Sequence, residues 1–435
     1  MKKKIINLIF ILIFLCNLVF PQVLLANNII TDELENNEKA EDIFKDITAP
    51  NLLLAETSTG NILYERNSDE RIYPASLTKL MTAILVVENC ELDEIVTVSD
   101  NAVNSVPSGY VNANLQVGEE LTVEDLLYVM LIPSANDAAN ALAEHVGGNI
   151  ESFSSMMNTR AKELGCIGSN FTNPSGLHQE EHYTTTKDLF LISQKAIENS
   201  IIKKIIGTTT YSLPSTNKYT KEARTFTTTN YMIRKSLTKY YCDYCIGAKT
   251  GYTGDAKNCV VEFAQKDGIE LTAIVMGEDS KVKGQKFLDA KEMFEYVFEN
   301  YNVKKIAKQN DKYETVRVIN GTKDTNQLEV LYKNSVNILI ENNAEKEIET
   351  KVEYTNLKAP IQKGNIVGKA IYEYDGITYE TELIANSNVE ESRALSNLIK
   401  IILVMFIIYI IYNLKKSNKK YKKHGKNIKR KNKIL

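Results

Sequence analysis

The stretch Tyr73-Pro74-Ala75-Ser76-Leu77-Thr78-Lys79-Leu80-Met81-Thr82-Ala83 decides how the chain is expected to fold. Pro74 precedes a run, 77–88, whose apolar residues recur at helical spacing and predict a helix. Ser76 and Lys79 then lie three residues apart on one face of the first turn. A serine is a weak nucleophile at its ordinary pKa, and a lysine amine that burial keeps uncharged can activate it. The stretch therefore predicts a nucleophile and its base at the start of a buried helix.

The spacing alone is not specific. A serine three residues before a lysine occurs six times, starting at Ser76, Ser200, Ser215, Ser236, Ser280 and Ser417. The stretch Ser236-Leu237-Thr238-Lys239 even repeats the same four letters. It runs into Tyr240-Tyr241-Cys242-Asp243, which has no amphipathic continuation that would bury the lysine. Ser236 is therefore predicted to lie in a surface loop without a catalytic role.

Two further motifs carry groups that can bind a peptide. Ser134-Ala135-Asn136 opens an alanine-rich run, where a hydroxyl can relay a proton and an amide can orient a carbonyl, although Ser and Asn are also common helix caps. Lys249-Thr250-Gly251 occurs once, after an apolar strand. Its lysine and hydroxyl can hold a carboxylate, and its glycine allows close approach of an extended chain, although a plain strand end is the alternative.

Alternating and helical patterns predict one α/β domain over 46–303. Its expected strands cover 51–55, 62–65, 245–248, 259–265 and 270–276, and its expected helices cover 77–88, 126–131, 135–145 and 285–301. Thr122 and Asp125 approximate a capping box before the second of these helices. From 304 to 385 short alternating segments are separated by turn residues such as Asn320-Gly321, which predicts a small all-β sandwich domain.

The net charge of -3 conceals three unlike parts. Residues 1–26 hold three lysines, no acid and an apolar run, which predicts a signal peptide, with an uncleaved anchor as the alternative. Residues 398–414 are almost wholly apolar and predict a transmembrane helix rather than an interfacial one, and eleven bases in 415–435 indicate a basic cytoplasmic tail. Segments 27–45 and 386–397 are interpreted as a flexible acidic leader and a stalk. The acidic middle of the chain excludes a nucleic-acid partner.

Ser-x-x-Lys, Ser-x-Asn and Lys-Thr-Gly in this order are the signature of penicillin-binding proteins and β-lactamases. The chain resembles the serine-type D-alanyl-D-alanine carboxypeptidases, the low-molecular-mass penicillin-binding proteins, over roughly 46–390. The likeness extends to Asn136-Asp137-Ala138-Ala139, Phe171-Thr172-Asn173-Pro174-Ser175-Gly176-Leu177 and Lys249-Thr250-Gly251-Tyr252-Thr253. The resemblance implies a penicillin-binding/β-lactamase-like transpeptidase domain of the α/β (α+β) class, a small β-rich domain and a membrane helix.

The resemblance also implies the site residues. Ser76 would be the acylated nucleophile, Lys79 its general base and Ser134 a proton relay. Asn136, Lys249, Thr250 and Gly251 would bind the substrate. Backbone N–H groups of Ser76 and Tyr252 would form the oxyanion hole. The expected activity is removal of the terminal D-alanine from peptidoglycan stem peptides by an exported, membrane-anchored enzyme that β-lactam antibiotics inhibit covalently, without a cofactor or metal.

Several points stay open in the sequence. Ala135 stands where the family usually has Gly, and Lys257-Asn258-Cys259 replaces a stretch that usually contains Gly. The two histidines His178 and His182 have no third ligand at a recognisable spacing, so no metal site is predicted there. Cys242, Cys245 and Cys259 are consistent either with a local disulfide or with reduced core cysteines.

Two competing functions are a β-lactamase and a non-catalytic wall-binding scaffold. The chain has no Glu-x-x-Leu-Asn stretch, which argues against a class A β-lactamase.

Overall fold

The computed structural model describes residues 43–431 except 221–222, 280, 343–345, 356 and 393. The predicted signal peptide and residues 27–42 of the predicted leader lie outside this part. The chain divides into two compact units, whose main boundary follows Lys304. The predicted fold class, an α/β domain, then an all-β domain and an apolar C-terminal helix, is confirmed.

The first unit is built on a five-stranded sheet flanked by helices. Its strands, in chain order, are β1 (Asn51–Glu56), β2 (Ile62–Arg66), β3 (Ile95–Thr97), β4 (Glu120–Thr122), β5 (Thr210–Leu213), β6 (Arg224–Thr227), β7 (Cys245–Thr253), β8 (Lys257–Lys266) and β9 (Ile269–Glu278). The five-stranded sheet has the order β2-β1-β9-β8-β7, and its pairs β1·β2, β1·β9, β7·β8 and β8·β9 are antiparallel. Strand β7, which carries Lys249-Thr250-Gly251, therefore lies at an edge of the sheet.

A short 3-10 helix, Ala75–Thr78, leads into the first helix and carries Ser76. The helices of this unit are α1 (Lys79–Asn89), α2 (Asp100–Asn104), α3 (Val123–Leu131), α4 (Asn136–Gly147), α5 (Ile150–Glu163), α6 (Thr186–Glu198), α7 (Ser200–Ile206) and α8 (Gln285–Asn300). Helix α1 is buried over its first eight residues, because its apolar side chains face neighbouring elements on nearly every side. Thr122 caps the start of α3, since its Oγ1 accepts from the Asp125 N–H over 3.0 Å and donates to Asp125 Oδ2 over 2.7 Å.

The leader prediction is wrong at its C-terminal end. Phe44 is 2% exposed, and its ring packs edge-on against Tyr64 at a centroid distance of 4.9 Å. Arg66 fixes the same segment by donating from Nη2 to the Phe44 carbonyl over 2.8 Å. Because Phe44 is buried, the chain joins the core of the first unit before residue 46.

The second unit is rich in strands. They are β10 (Tyr301–Ala307), β11 (Lys312–Arg317), β12 (Gln327–Tyr332), β13 (Val336–Glu341), β14 (Glu349–Tyr354), β15 (Ile366–Tyr374) and β16 (Ile377–Ala385), of which β10 begins within the first unit. Five of them form a sheet in the order β11-β12-β16-β15-β14, and β10 pairs with β13. The predicted stalk does not begin at 386, because Val389 is buried and bridges to Ile361.

The chain continues as helix α9 (Ala394–Lys431). Its part Asn397–Lys416 is the one stretch in the described residues that is long and apolar enough to cross a membrane.

Candidate active site

Ser76 lies in a tight turn that the backbone holds in an unusual conformation. Ala75 has a φ of +47°, in the left-handed region that costs a residue with a Cβ about 1–2 kcal/mol. The turn brings the Ser76 hydroxyl to Lys79, the first residue of α1, with 2.9 Å between Oγ and Nζ. The predicted nucleophile and base thus meet at hydrogen-bonding distance.

The Lys79 amine is fully buried and has three neighbours. Besides Ser76 Oγ, Nζ lies 2.7 Å from Asn136 Oδ1 and 2.7 Å from the Ser175 carbonyl oxygen. Burial lowers the pKa of Lys79 well below its ordinary value, and the positive charge of Lys249 lowers it further, while Asp137 acts in the opposite direction. The site therefore favours the uncharged amine.

The geometry around Nζ suits that uncharged form. An amide oxygen and a backbone carbonyl are acceptors only, so each takes one N–H of the amine. A neutral amine has two such hydrogens and one lone pair. With Asn136 and Ser175 holding the hydrogens, the lone pair is directed at the Ser76 hydroxyl, the arrangement that proton abstraction needs.

Ser134 and Asn136 flank the start of α4 without capping it. The helix begins at Asn136, and its N-cap, Ala135, forms no side-chain cap hydrogen bond. Ser134 has a φ of +72°, and its Oγ accepts a 2.8 Å hydrogen bond from Lys249 Nζ. The side chains of the motif therefore point into the cluster, and the alternative of a plain helix cap is excluded.

Lys249 is 1% exposed on edge strand β7. Burial lowers its pKa to about 7, and the charge of nearby Lys286 adds to this effect. Next along the strand, Thr250 Oγ1 lies 2.6 Å from Thr229 Oγ1. The cation and the hydroxyl are thus held by Ser134 on one side and Thr229 on the other, beside the Ser76 turn.

Two glycines allow the backbone segments of the site to approach each other. A Cβ on Gly251 would stand 3.1 Å from the Pro74 carbonyl oxygen and 3.2 Å from Ser76 N. A Cβ on Gly176, whose φ is +82°, would stand 1.7 Å from the Ala75 carbonyl oxygen, a distance that no structure allows. Because Gly251 lies this close to Ser76 N, the two predicted oxyanion donors, Ser76 on the 3-10 helix and Tyr252 on β7, lie on neighbouring elements.

Sequence analysis missed residues that support these groups. Thr229 had no distinguishing signal, whereas the carbonyl of Ser175 belongs to the Asn173-Pro174-Ser175-Gly176 turn that the resemblance had already marked. Asn173 Oδ1 holds this turn by accepting from Gly176 N over 2.8 Å. Lys286, 8% exposed, donates to the Gly251 carbonyl over 3.4 Å.

His182 belongs to a chain of hydrogen bonds that supports the Ser76 turn. Its Nδ1 accepts from Thr172 N over 3.0 Å, which places the ring proton on Nε2, 2.8 Å from Thr78 Oγ1. The Thr78 hydroxyl in turn donates to the Ala75 carbonyl over 2.8 Å. Burial lowers the pKa of His182 to about 4, so the ring is neutral and holds the Ser76 turn from behind. His178 is separate and packs edge-on against Tyr73.

The structure also bears on three other sequence interpretations, which concern the duplicate Ser-x-x-Lys motif, the cysteines and Lys257. The duplicate Ser236 is exposed in a turn, as predicted. The five cysteines in the described residues are free thiols, and Cys242 and Cys245 are both buried. Lys257, the first residue of the stretch that replaces a usual Gly-containing one, adopts a φ of +57°, the backbone conformation that glycine takes without strain.

Comparison with known proteins agrees with this geometry. Residues 35–280 match the family model described as D-alanyl-D-alanine carboxypeptidase, and residues 301–391 match penicillin-binding protein 5, C-terminal domain. D-alanyl-D-alanine carboxypeptidase DacF of Bacillus subtilis is 33% identical over 349 residues, which is 78% of this chain and 84% of that protein.

Solved structures show the same likeness. Penicillin binding protein 5 from Haemophilus influenzae superposes with a TM-score of 0.67 at 27% identity, covering 79% of this chain and 98% of that one. The Streptomyces K15 DD-transpeptidase is 32% identical, with a TM-score of 0.53, and covers 58% of this chain and 98% of its own. The chain therefore belongs to the D-alanyl-D-alanine carboxypeptidase family of penicillin-binding serine hydrolases.

Proposed function

We propose that the enzyme removes the terminal D-alanine of peptidoglycan stem peptides through an acyl-enzyme on Ser76. The observation that carries this proposal is the environment of the Lys79 amine. Nζ lies 2.7 Å from the acceptor oxygens of Asn136 and Ser175 and 2.9 Å from Ser76 Oγ. In the uncharged amine the two acceptors take the hydrogens, and the lone pair can accept the Ser76 proton.

In the acylation step, Ser76 Oγ attacks the carbonyl carbon of the penultimate D-alanine while its proton moves to Lys79 Nζ. The oxyanion that forms is stabilised by the backbone N–H groups of Ser76 and Tyr252. The C–N bond then breaks, and the leaving amine of D-alanine takes a proton through Ser134, whose hydroxyl contacts Lys249 at 2.8 Å. Water hydrolyses the ester and regenerates Ser76.

Lys249 and Thr250 bind the terminal carboxylate of the substrate. The buried ammonium gives a local positive charge within an acidic exported domain, and the bound carboxylate favours the charged form of Lys249. Thr250 Oγ1 lies 2.6 Å from Thr229 Oγ1, and with Thr229 as the donor of this hydrogen bond the Thr250 O–H can point at the carboxylate. An extended peptide runs along the edge of β7, where Gly251 allows it to approach the backbone.

The same groups react with β-lactam antibiotics, whose strained amide and carboxylate present equivalent atoms to Ser76 and Lys249. The acyl-enzyme then persists, and the antibiotic inhibits covalently.

We place the catalytic domain outside the cytoplasmic membrane. The apolar part of α9, Asn397–Lys416, spans the bilayer, and the lysines that follow remain on the cytoplasmic side by the positive-inside rule. The first 26 residues act as the export signal.

A fluorescent penicillin tests the mechanism. The wild-type protein is expected to become covalently labelled, and Ser76→Ala is expected to abolish the label. Ser236→Ala, which removes a serine from an identical four-letter motif in an exposed turn, is the matched control and should label like wild type. Label that survives Ser76→Ala would refute the acyl-enzyme, and a wild-type protein that never labels would favour a non-catalytic scaffold.

The reaction itself is tested with diacetyl-Lys-D-Ala-D-Ala. Release of free D-alanine that depends on Ser76 supports the carboxypeptidase. Rapid turnover of penicillin without release of D-alanine would favour a β-lactamase.

A further inference from the structure

Three metal-ligating side chains meet at a place remote from Ser76. Cys90 follows the last residue of α1, Glu94 lies four residues later, and His145 lies in the last turn of α4. One ligand atom from each, the thiol sulfur, a carboxylate oxygen and a ring nitrogen, all lie within 4.8 Å of one another. The closest pair is His145 Nε2 and Glu94 Oε2, 3.0 Å apart.

The backbone holds this cluster in place. Glu94 Oε1 accepts from the Glu91 N–H over 2.6 Å, which leaves Oε2 directed at His145. The Glu94 carbonyl accepts from Val123 N over 2.9 Å, and Cys90 N donates to the Val86 carbonyl over 3.0 Å. The ligand groups are therefore arranged before any ion arrives, which lowers the entropic cost of binding.

The local electrostatic field favours a cation. Both α1 and α4 end beside the cluster, and a helix C-terminus carries a partial negative charge of roughly half an elementary charge. Glu94 adds a full carboxylate charge. Two helix C-termini and an acidic side chain thus lie at the cluster, where an imidazole and a thiol supply further donor atoms.

We propose that Cys90, Glu94 and His145 bind one Zn²⁺ ion, with water as the fourth ligand. Bond lengths of about 2.0–2.3 Å place tetrahedral ligand atoms roughly 3.3–3.6 Å apart, so the observed cluster needs only small side-chain shifts. A thiolate combined with an imidazole suits Zn²⁺ better than Mg²⁺ or Ca²⁺, which prefer oxygen. Binding releases the Cys90 thiol proton to solvent, and His145 coordinates through Nε2 as a neutral imidazole with its ring proton on Nδ1.

The ion links the far ends of the two helices that begin at the catalytic cluster. Helix α1 starts at Lys79 and α4 starts at Asn136, and these two side chains are joined by a 2.7 Å hydrogen bond. Zinc holds the other ends together without touching the reacting atoms. It is therefore expected to raise the unfolding temperature while leaving the acylation rate of the folded enzyme unchanged.

The test is a zinc titration of the full-length protein in detergent, in competition with a chromophoric chelator. Wild type is expected to bind one equivalent of Zn²⁺, and Cys90→Ser, Glu94→Gln and His145→Asn are each expected to weaken binding by at least about tenfold. Glu91→Gln removes the same charge from the same loop without removing a ligand, and should bind like wild type. The absence of one-to-one binding in the wild type, or wild-type affinity in Cys90→Ser and His145→Asn, would overturn the proposal.

Cobalt identifies the sulfur ligand. A thiolate-to-Co²⁺ charge-transfer band is expected in wild type and in Cys242→Ser, but not in Cys90→Ser. If the variants fail to fold, the unaltered protein still gives an answer, because bound zinc should protect Cys90 from alkylation, as measured by mass spectrometry. Alkylation of Cys90 at the same rate with and without zinc would count against the site.

Discussion

Replacing Gly176 with alanine should inactivate the enzyme through the backbone. The new Cβ would stand 1.7 Å from the Ala75 carbonyl oxygen, and real Cβ contacts essentially never fall below 3.0 Å, so the two segments must separate by roughly 1.3 Å. Ala75 directly precedes Ser76, and a misplacement of about 1 Å at reacting groups can cost about 100-fold in rate. We expect acylation by fluorescent penicillin to slow by at least about 100-fold per folded molecule.

Gly268→Ala provides the matched control. Its φ of +86° is close to the +82° of Gly176, but nothing lies within 4 Å of the Cβ position. Both variants therefore incur the left-handed strain of about 1–2 kcal/mol, and only one meets the Ala75 carbonyl. Stopped-flow measurements give the acylation rate of each variant, and thermal unfolding gives its stability, so the two effects can be told apart. A Gly176→Ala protein that acylates within a few-fold of Gly268→Ala would refute the argument.

Three further predictions follow from other contacts. Lys79→Arg replaces the uncharged amine with a guanidinium that stays protonated and cannot act as a base, so the acylation rate should fall by at least about 1000-fold, and near-normal acylation would contradict the base role. His182 has a folded pKa of about 4, below its unfolded value, so it contributes stability that is lost as pH falls from 6.5 to 4. Over this range the unfolding free energy of the wild type, measured by urea denaturation, should drop by about 3 kcal/mol more than that of His182→Gln. An equal drop in the unfolding free energy of both proteins would disprove this prediction. A chain ending at Asn397 should leave the membrane fraction while releasing D-alanine at an unchanged rate; retention in that fraction would contradict the anchor.

Much of the fold could be predicted because local patterns matched the final structure. The run that starts at Leu77 became a buried helix, and the apolar strand before Lys249 became an edge strand, since both patterns agree with their tertiary setting. Helices α5, α6 and α7 were not predicted. In α6 polar residues such as Asp188 are buried and interrupt the apolar pattern, and α7 is only seven residues long. Asn149 and Thr185 nevertheless cap α5 and α6 as expected of such residues.

The motif residues could be predicted, but their supports could not. Ser76 and Lys79 lie close in sequence, so a helical turn explains their contact. Thr229 meets Thr250 only through the tertiary fold. Cys90 and His145 are separated by 55 positions, and they meet because α1 and α4 run in the same direction from the catalytic cluster. The importance of Gly176 likewise depends on how closely a distant turn approaches it, which no spacing reveals.

The left-handed residues Ala75 and Ser134 affect how this enzyme can evolve. Each holds a conformation that the unfolded chain avoids, so glycine at either position would relieve local strain. A screen for heat resistance alone would therefore favour changes beside the nucleophile and at the proton relay itself. Such variants would gain thermal stability, while the nucleophile lost its fixed direction or the relay lost its hydroxyl. Directed evolution of this scaffold should select for turnover and heat resistance together.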